Sequence, residues 1–160
     1  MRPPVAWIAL LLLAGPGAAV AAATTCQGTI SGAVRASFRC AASVALTETG
    51  RPVFEIRGLD RLENVPGYSP GAFELPEPLT ARTYTLDDLG KGRASVAMEG
   101  GTLFTAAKTS SQRGEVTLVL KSLEKDPRAG GSFVAHGTYR ARLLPAGGGK
   151  SGEVVVEVSF

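Results

Sequence analysis

Residues 30–40 read ISGAVRASFRC, and their side chains alternate between two kinds. Apolar or small residues occupy the even positions, among them Val34 and Phe38, while Arg35 and Arg39 occupy odd positions. A period of two is typical of a β-strand with one buried face. The stretch therefore predicts β-structure and places both arginines on the solvent-facing side.

The two cysteines of the chain, Cys26 and Cys40, bracket most of this stretch. One straight strand between them would separate their backbones by about 46 Å, whereas a disulfide needs Cα atoms within ~7 Å. If the chain is exported, an even cysteine count favours a disulfide, which requires a reversal near Gly32. The single strand and the hairpin exclude each other. We favour the disulfide-linked hairpin, because an unpaired cysteine is a liability in an exported protein.

Residues 1–23 carry the three parts of a secretory signal peptide. Met1-Arg2 is a positive start, residues 5–14 (VAWIALLLLA) are an apolar core, and Ala21-Ala22-Ala23 is a small-residue cleavage site. The apolar core is about half of the ~20 residues that a spanning helix needs. We therefore expect residues 1–23 to be removed, and residues 24–160 to form a single domain in the periplasm or outside the cell.

The rest of the chain repeats the alternating pattern between turns rich in glycine and proline. The hydrophobic fraction of 44% is enough for a core, and the sequence indicates no amphipathic helix. We predict an all-β domain, an antiparallel β-sandwich of about nine strands, with a small β-barrel as the alternative. Residues 58–78 are expected to be loop-rich. The other alternating segments are 43–48, 53–57, 72–75, 80–86, 93–98, 102–107, 115–120, 133–144 and 153–160.

The charge balance gives no reason to expect nucleic acid as a partner. The chain has 17 basic and 14 acidic residues, whereas nucleic-acid-binding domains carry a strong basic bias. Four arginines occupy solvent-facing strand positions, namely Arg35, Arg39, Arg140 and Arg142. If their strands pair, these arginines form a basic stripe suited to an envelope component or an anionic polymer.

No catalytic or metal-binding constellation is indicated. Gly67-Tyr68-Ser69-Pro70-Gly71 matches the G-x-S-x-G pattern of serine hydrolases. In those enzymes the residue after the serine donates a backbone N–H, and Pro70 has none. His136 is the single histidine and no C-x-x-C pair exists, so we expect no cofactor and no metal. We therefore favour a non-enzymatic binding or structural module of the envelope over an uncharacterised secreted hydrolase.

The last strand supports a further alternative. Residues 153–160 read EVVVEVSF, which puts Val154, Val156, Val158 and Phe160 on one face. This resembles the terminal strand of bacterial outer-membrane barrels, although such barrels carry aromatic girdles at both interfaces. Beyond residue 23 the chain has six Phe, three Tyr and no Trp. The few aromatic residues argue against a small outer-membrane β-barrel, but the terminal strand keeps it as the alternative. In a water-facing domain the same four residues would pack inward.

Five short motifs follow one another after Thr80. They are TYTL at 83–86, LF at 103–104, GEVTL at 114–118, GTYRARL at 137–143 and VSF at 158–160. This order resembles a broad group of uncharacterised exported bacterial all-β proteins. Members of that group close with a G-T-[FY]-x-A-x-L strand, a glycine-rich turn and a strand ending in Phe. The resemblance implies an exported β-fold and no particular chemistry, because the group has no assigned activity.

Overall fold

The computed structural model describes residues 23–147 and 152–160, which form strands and turns without any helix. These residues therefore contain no helix able to span a membrane. Apart from Ala23, the predicted signal peptide lies outside the described residues. The strands are β1 (Ala23–Gly32), β2 (Ala36–Leu46), β3 (Pro52–Gly58), β4 (Gly67–Glu74), β5 (Thr83–Thr85), β6 (Gly92–Ala97), β7 (Leu103–Ala106), β8 (Glu115–Lys125), β9 (Ser132–Pro145) and β10 (Val154–Ser159).

The strands pair antiparallel, and the sheet closes into a ring. Its order is β10-β1-β2-β3-β4-β6-β7-β9, and β9 pairs in turn with β10. Eight strands thus form a barrel, while β8 and β5 continue the sheet from β9 outside the ring. The prediction of an all-β antiparallel fold is confirmed. The closed ring matches the small-barrel alternative more closely than the predicted sandwich.

The ring closes because β9 is long enough to pair with several strands at once. Its residues 138–143 pair with β10 and its residues 144–145 pair with β7, which joins the two ends of the eight-stranded sheet. Residues 132–133 pair with β2, and residues 133–142 pair with β8. Alternation alone does not distinguish a sandwich from a barrel, because inward and outward side chains alternate in both.

Apolar side chains fill the core. The interior of an eight-stranded barrel is just wide enough for side chains to occupy completely. Phe54 is central to the packing, since its ring centroid lies 5.8 Å from that of Tyr139 and 5.4 Å from that of Phe160. The largest fully buried side chains are those of Tyr84, Tyr139, Phe54, Phe73 and Phe104. The protein is thus a packed barrel with an apolar interior.

Strand β10 has the predicted orientation. Val154, Val156 and Val158 are buried, whereas Glu157 is exposed. The half-buried Phe160 follows the strand and packs against the core. Its backbone exchanges two hydrogen bonds with that of a residue in β9, Gly137, at 2.8 and 3.1 Å.

The disulfide-linked hairpin is confirmed. Strands β1 and β2 are antiparallel neighbours in which Cys26 and Cys40 stand directly opposite each other. Their Cα atoms are 4.8 Å apart and their sulfurs are bonded. Gly32 ends β1 with φ at 101°, a left-handed value that glycine adopts without strain. The reversal therefore occurs at the predicted place.

The expectation of a loop-rich segment over residues 58–78 is partly wrong, because β4 occupies its second half. The strand contains Pro70, which has no N–H for a ladder hydrogen bond. The pairing of β4 with β6 shifts register between Ser69 and Ala72. A bulge of this kind leaves a residue unpaired, so the proline is tolerated in the middle of the sheet.

Reduction of the Cys26–Cys40 disulfide should lower the free energy of unfolding by about 3 kcal/mol, the value expected for a closed loop of roughly fifteen residues. Urea denaturation of the oxidised and the reduced protein measures this difference. Thiol titration of the native protein should detect no free cysteine. Two reactive thiols in folded, exported protein would contradict the cross-strand pairing.

Gly137 tests the register between β8 and β9. A Cβ atom at this position would lie 1.9 Å from the carbonyl oxygen of Val119, so Gly137→Ala should push the two strands apart. We expect a loss of about 1–3 kcal/mol, as for other overpacked sites, measured by denaturant titration. Gly67→Ala is the matched control, since a Cβ at that strand position has no atom within 4 Å. Equal stability of the two variants would refute this register.

Candidate functional site

A groove crosses the outer face of the sheet over β2, β1, β10, β9 and β8. Its volume is about 1020 Å³. We call it the outer groove. The strand register places the outward side chains that line it in two rows. The first row is Arg39, Gln27, Ser159, Thr138 and Val119, and the second row is Ser37, Thr29, Glu157, Arg140 and Thr117.

The floor between the two rows is formed by residues whose side chains point inward. Gly28 lies in this floor, and the ring of Phe38 packs directly beneath it. A Cβ atom on Gly28 would lie 2.3 Å from Cζ of that ring. On its far side the Phe38 ring meets Tyr68 edge-on, with centroids 5.2 Å apart. The floor is therefore supported from below by the core.

Tyr139 also contributes to the floor, but its ring belongs to the core. Its hydroxyl oxygen would be 2.5 Å from a Cβ atom on Gly71, so the absence of a side chain there makes room for it. Within the described residues this hydroxyl has no hydrogen-bond partner. Burial raises the pKa of Tyr139 far above its usual range. The phenol therefore stays neutral and does not act in the groove.

The groove presents side chains rather than free backbone groups. Strands β1, β10 and β9 at its centre are each paired on both sides. A ligand in the groove would therefore not extend the sheet. The available groups are hydroxyls, one amide and two ion pairs, which together offer both hydrogen-bond donors and acceptors.

The first ion pair, between Arg39 and Asp60, closes one end of the groove. Arg39 donates from Nη2 to Oδ1 of Asp60 at 2.7 Å and from Nε at 3.0 Å. Its backbone N–H also donates to Oδ2 at 2.6 Å. The Arg39 guanidinium and backbone N–H together hold the pKa of the Asp60 carboxyl below its usual range. All of these contacts hold the segment after β3 against β2.

The second ion pair, between Arg140 and Glu157, lies in the second row and is much looser. The two residues face each other across β9 and β10. Nε of Arg140 is 3.2 Å from Oε1 of Glu157, and the side chains are 62% and 56% exposed. Exposed pairs of this kind contribute little to stability. Both charged groups are therefore accessible to a ligand.

The structure does not gather the four predicted arginines into one stripe. Arg39 and Arg140 reach the outer groove, but β1 and β10 lie between their strands. Arg142 lies outside the groove and pairs with Glu153 and Glu115. Arg35 is exposed next to the β1–β2 turn and has no ion pair among the described residues. Three of the four positive charges are thus balanced by carboxylates.

The other sequence candidates are not among the residues that line the groove. The G-x-S-x-G residues belong to β4, so Ser69 lies within a strand rather than on a strand-to-helix turn. His136 is exposed on β9. Over residues 23–147 and 152–160 there is no cluster of three side chains suited to a metal ion.

Sequence reasoning missed the hydroxyl and amide residues of the groove. Thr29, Ser37, Thr138 and Ser159 occupy outward positions in their strands, as the alternation implies. Each is an ordinary solvent-facing residue when its strand is considered alone. Only the order β2-β1-β10-β9-β8, which joins distant parts of the chain, brings them into the same rows.

The fold and the groove together define a small antiparallel β-barrel with a polar outer surface cleft. No protein-family model matches the chain, and no curated protein or solved structure matches it. The resemblance to exported bacterial β proteins thus remains a prediction. Any statement about function must rest on the groove itself.

The Arg39–Asp60 pair predicts a pH dependence of stability. The pKa of Asp60 is lowered in the folded protein, so its contribution is present above its unfolded value of about 4 and is lost as the pH falls through the folded value. Asp60→Asn should lower the melting temperature at neutral pH and make little difference in strong acid. The control is Glu63→Gln, an exposed carboxylate with no ion pair in the described chain. If the melting temperatures of wild type and Asp60→Asn differ by the same amount at every pH, the Arg39–Asp60 pair is not the source of the pH dependence.

Proposed function

We propose that this chain is an exported, non-enzymatic binding module of the bacterial envelope, which holds a polar ligand in the outer groove. The observation that carries the proposal is the pair of hydrogen-bonding rows across five strands. Ligand sites need convergent polar groups on a rigid support to fix orientation. Here the support is a sheet whose inner face is packed against the core.

The disulfide supports the exported location. Disulfides form and persist in oxidising compartments and are rare in the cytosol. The bond between Cys26 and Cys40 is buried on the core side of β1 and β2. It therefore acts as a staple of the barrel rather than as a reactive group.

The chemistry of the groove supports binding rather than catalysis. An activated hydroxyl nucleophile needs an adjacent base. The described residues that line the groove include no histidine. Of its two carboxylates, Asp60 is fixed by Arg39, while the exposed Glu157 faces Arg140. The groove thus supports recognition through several weak contacts.

The outer face supports a water-facing barrel over a membrane-spanning one. Arginine or lysine side chains on a lipid-facing surface cost about 2–4 kcal/mol each near the bilayer midplane, and carboxylates cost less. Arg39 on β2, Arg140 on β9 and Glu157 on β10 all project outward, while the interior is apolar. This distribution is that of a domain with water around it.

Co-sedimentation with purified envelope polymers tests the proposal. Residues 24–160 would be mixed in turn with peptidoglycan sacculi, lipopolysaccharide aggregates and teichoic-acid-bearing walls. We expect binding to at least one polymer and a loss of about tenfold or more for Ser159→Trp, whose indole would fill the middle of the groove. Ser95→Trp is the control, because Ser95 lies on β6 on a different part of the ring.

Two results would contradict the proposal. One is the failure of the folded wild-type protein to bind any of the three polymers. The other is release of soluble fragments from a polymer, since that would show hydrolysis. Equal losses in Ser159→Trp and Ser95→Trp would place the binding surface elsewhere on the barrel.

A further inference from the structure

We propose that the Arg140–Glu157 pair recognises a zwitterionic amino-acid group on a peptide-bearing envelope polymer, of the kind that peptidoglycan stem peptides carry. This inference rests on the proposed function and names the ligand of the same groove. In the bound state the Arg140 guanidinium binds the ligand carboxylate, and the Glu157 carboxylate binds the ligand ammonium group.

Charge balance in the groove favours a zwitterion over a polyanion. Each arginine that lines the groove has a carboxylate beside it, Asp60 for Arg39 and Glu157 for Arg140. A polyanion would meet like charges at both places, and like charges in contact oppose binding. A group with one positive and one negative charge meets an opposite charge for each of its own.

The two ion pairs differ in how available they are. Arg39 makes three hydrogen bonds of 3.0 Å or less with Asp60, one of them from its backbone, so although the Arg39 side chain is 75% exposed, the pair is tightly bonded and Asp60 is 26% exposed. That pair holds a loop in place. Arg140 makes a single contact with Glu157, and both side chains are more than half exposed. Only the second pair can exchange partners with a ligand without loosening the fold.

The surroundings of the second pair suit a peptide rather than an isolated charged group. Thr29 and Thr117 flank it in its own row, and Thr138 and Ser159 lie in the other row. These hydroxyls match the amide and hydroxyl groups of a glycan-linked peptide. The groove spans four inter-strand spacings, roughly 19 Å, which is the length of an extended segment of about five or six residues.

Binding of soluble muropeptides, released from purified sacculi, tests this inference. Calorimetry would compare the unmodified peptides with two derivatives, one acetylated on its amine and one amidated on its carboxylates. We expect each modification to weaken binding to the wild type by about tenfold or more, the loss expected for one charge-assisted hydrogen bond.

Two variants connect each ligand charge to its residue. Arg140→Gln should bind the unmodified peptide about tenfold more weakly and become insensitive to amidation, while it stays sensitive to acetylation. Glu157→Gln should show the opposite pattern. Arg142→Gln is the matched control, because Arg142 lies two residues further along the same strand and pairs outside the groove. Melting temperatures would establish that all three variants are folded.

The outcomes separate this inference from the proposed function. If sacculi bind and Ser159→Trp prevents it, but Arg140→Gln behaves like Arg142→Gln, the zwitterion site is refuted and the groove remains a binding site. If no envelope polymer binds, both proposals fail. Binding of phosphatidylethanolamine vesicles that depends on Arg140, without binding of muropeptides, would overturn the choice of a peptide.

Discussion

Strand β9 is the element on which the rest of the structure depends. Its 14 residues pair with β10, β7, β8 and β2 at different positions along their length. A strand has only two edges, so four partners require that each edge be shared between two of them. The ring closes where residues 138–143 pair with β10 and residues 144–145 pair with β7. Residues 133–142 pair with β8, which continues the sheet outside the ring. The outer groove lies where these two parts of the sheet meet.

The local features of the fold follow from the sequence because they depend on neighbouring residues. The alternation of small and polar side chains predicts strands and their inward faces, and the spacing of Cys26 and Cys40 predicts the β1–β2 reversal. Ring closure depends on pairing between Leu144 and Thr105, which are far apart along the chain. Alternation carries no information about such a partner. Only the first half of β4 was missed, because Pro70 argues against a strand. The bulge leaves that position unpaired, so no N–H is needed there.

In the candidate site, too, features that depend on neighbouring residues could be predicted, and features that depend on long-range contacts could not. The outward direction of Arg39 and Arg140 could be predicted, because it depends only on the period of their strands. Their partners could not be predicted. Asp60 reaches Arg39 only through a loop contact, and Glu157 reaches Arg140 only through a long-range strand pairing. Without those partners the arginines suggested a ligand of pure negative charge. With them the positive charges of the groove are balanced by carboxylates, so the arginines by themselves no longer indicate an anionic ligand.

The pairing of β1 with β10 has a consequence for the order of folding. Gln27 stands opposite Ser159, so the first and last described strands must meet before the ring is complete. Contacts between such distant residues form slowly, because a long segment must first be ordered. We therefore expect the hairpins between consecutive strands, such as β1–β2, to pair before β10 meets β1. The ring therefore stays open until β10 has paired with both β1 and β9.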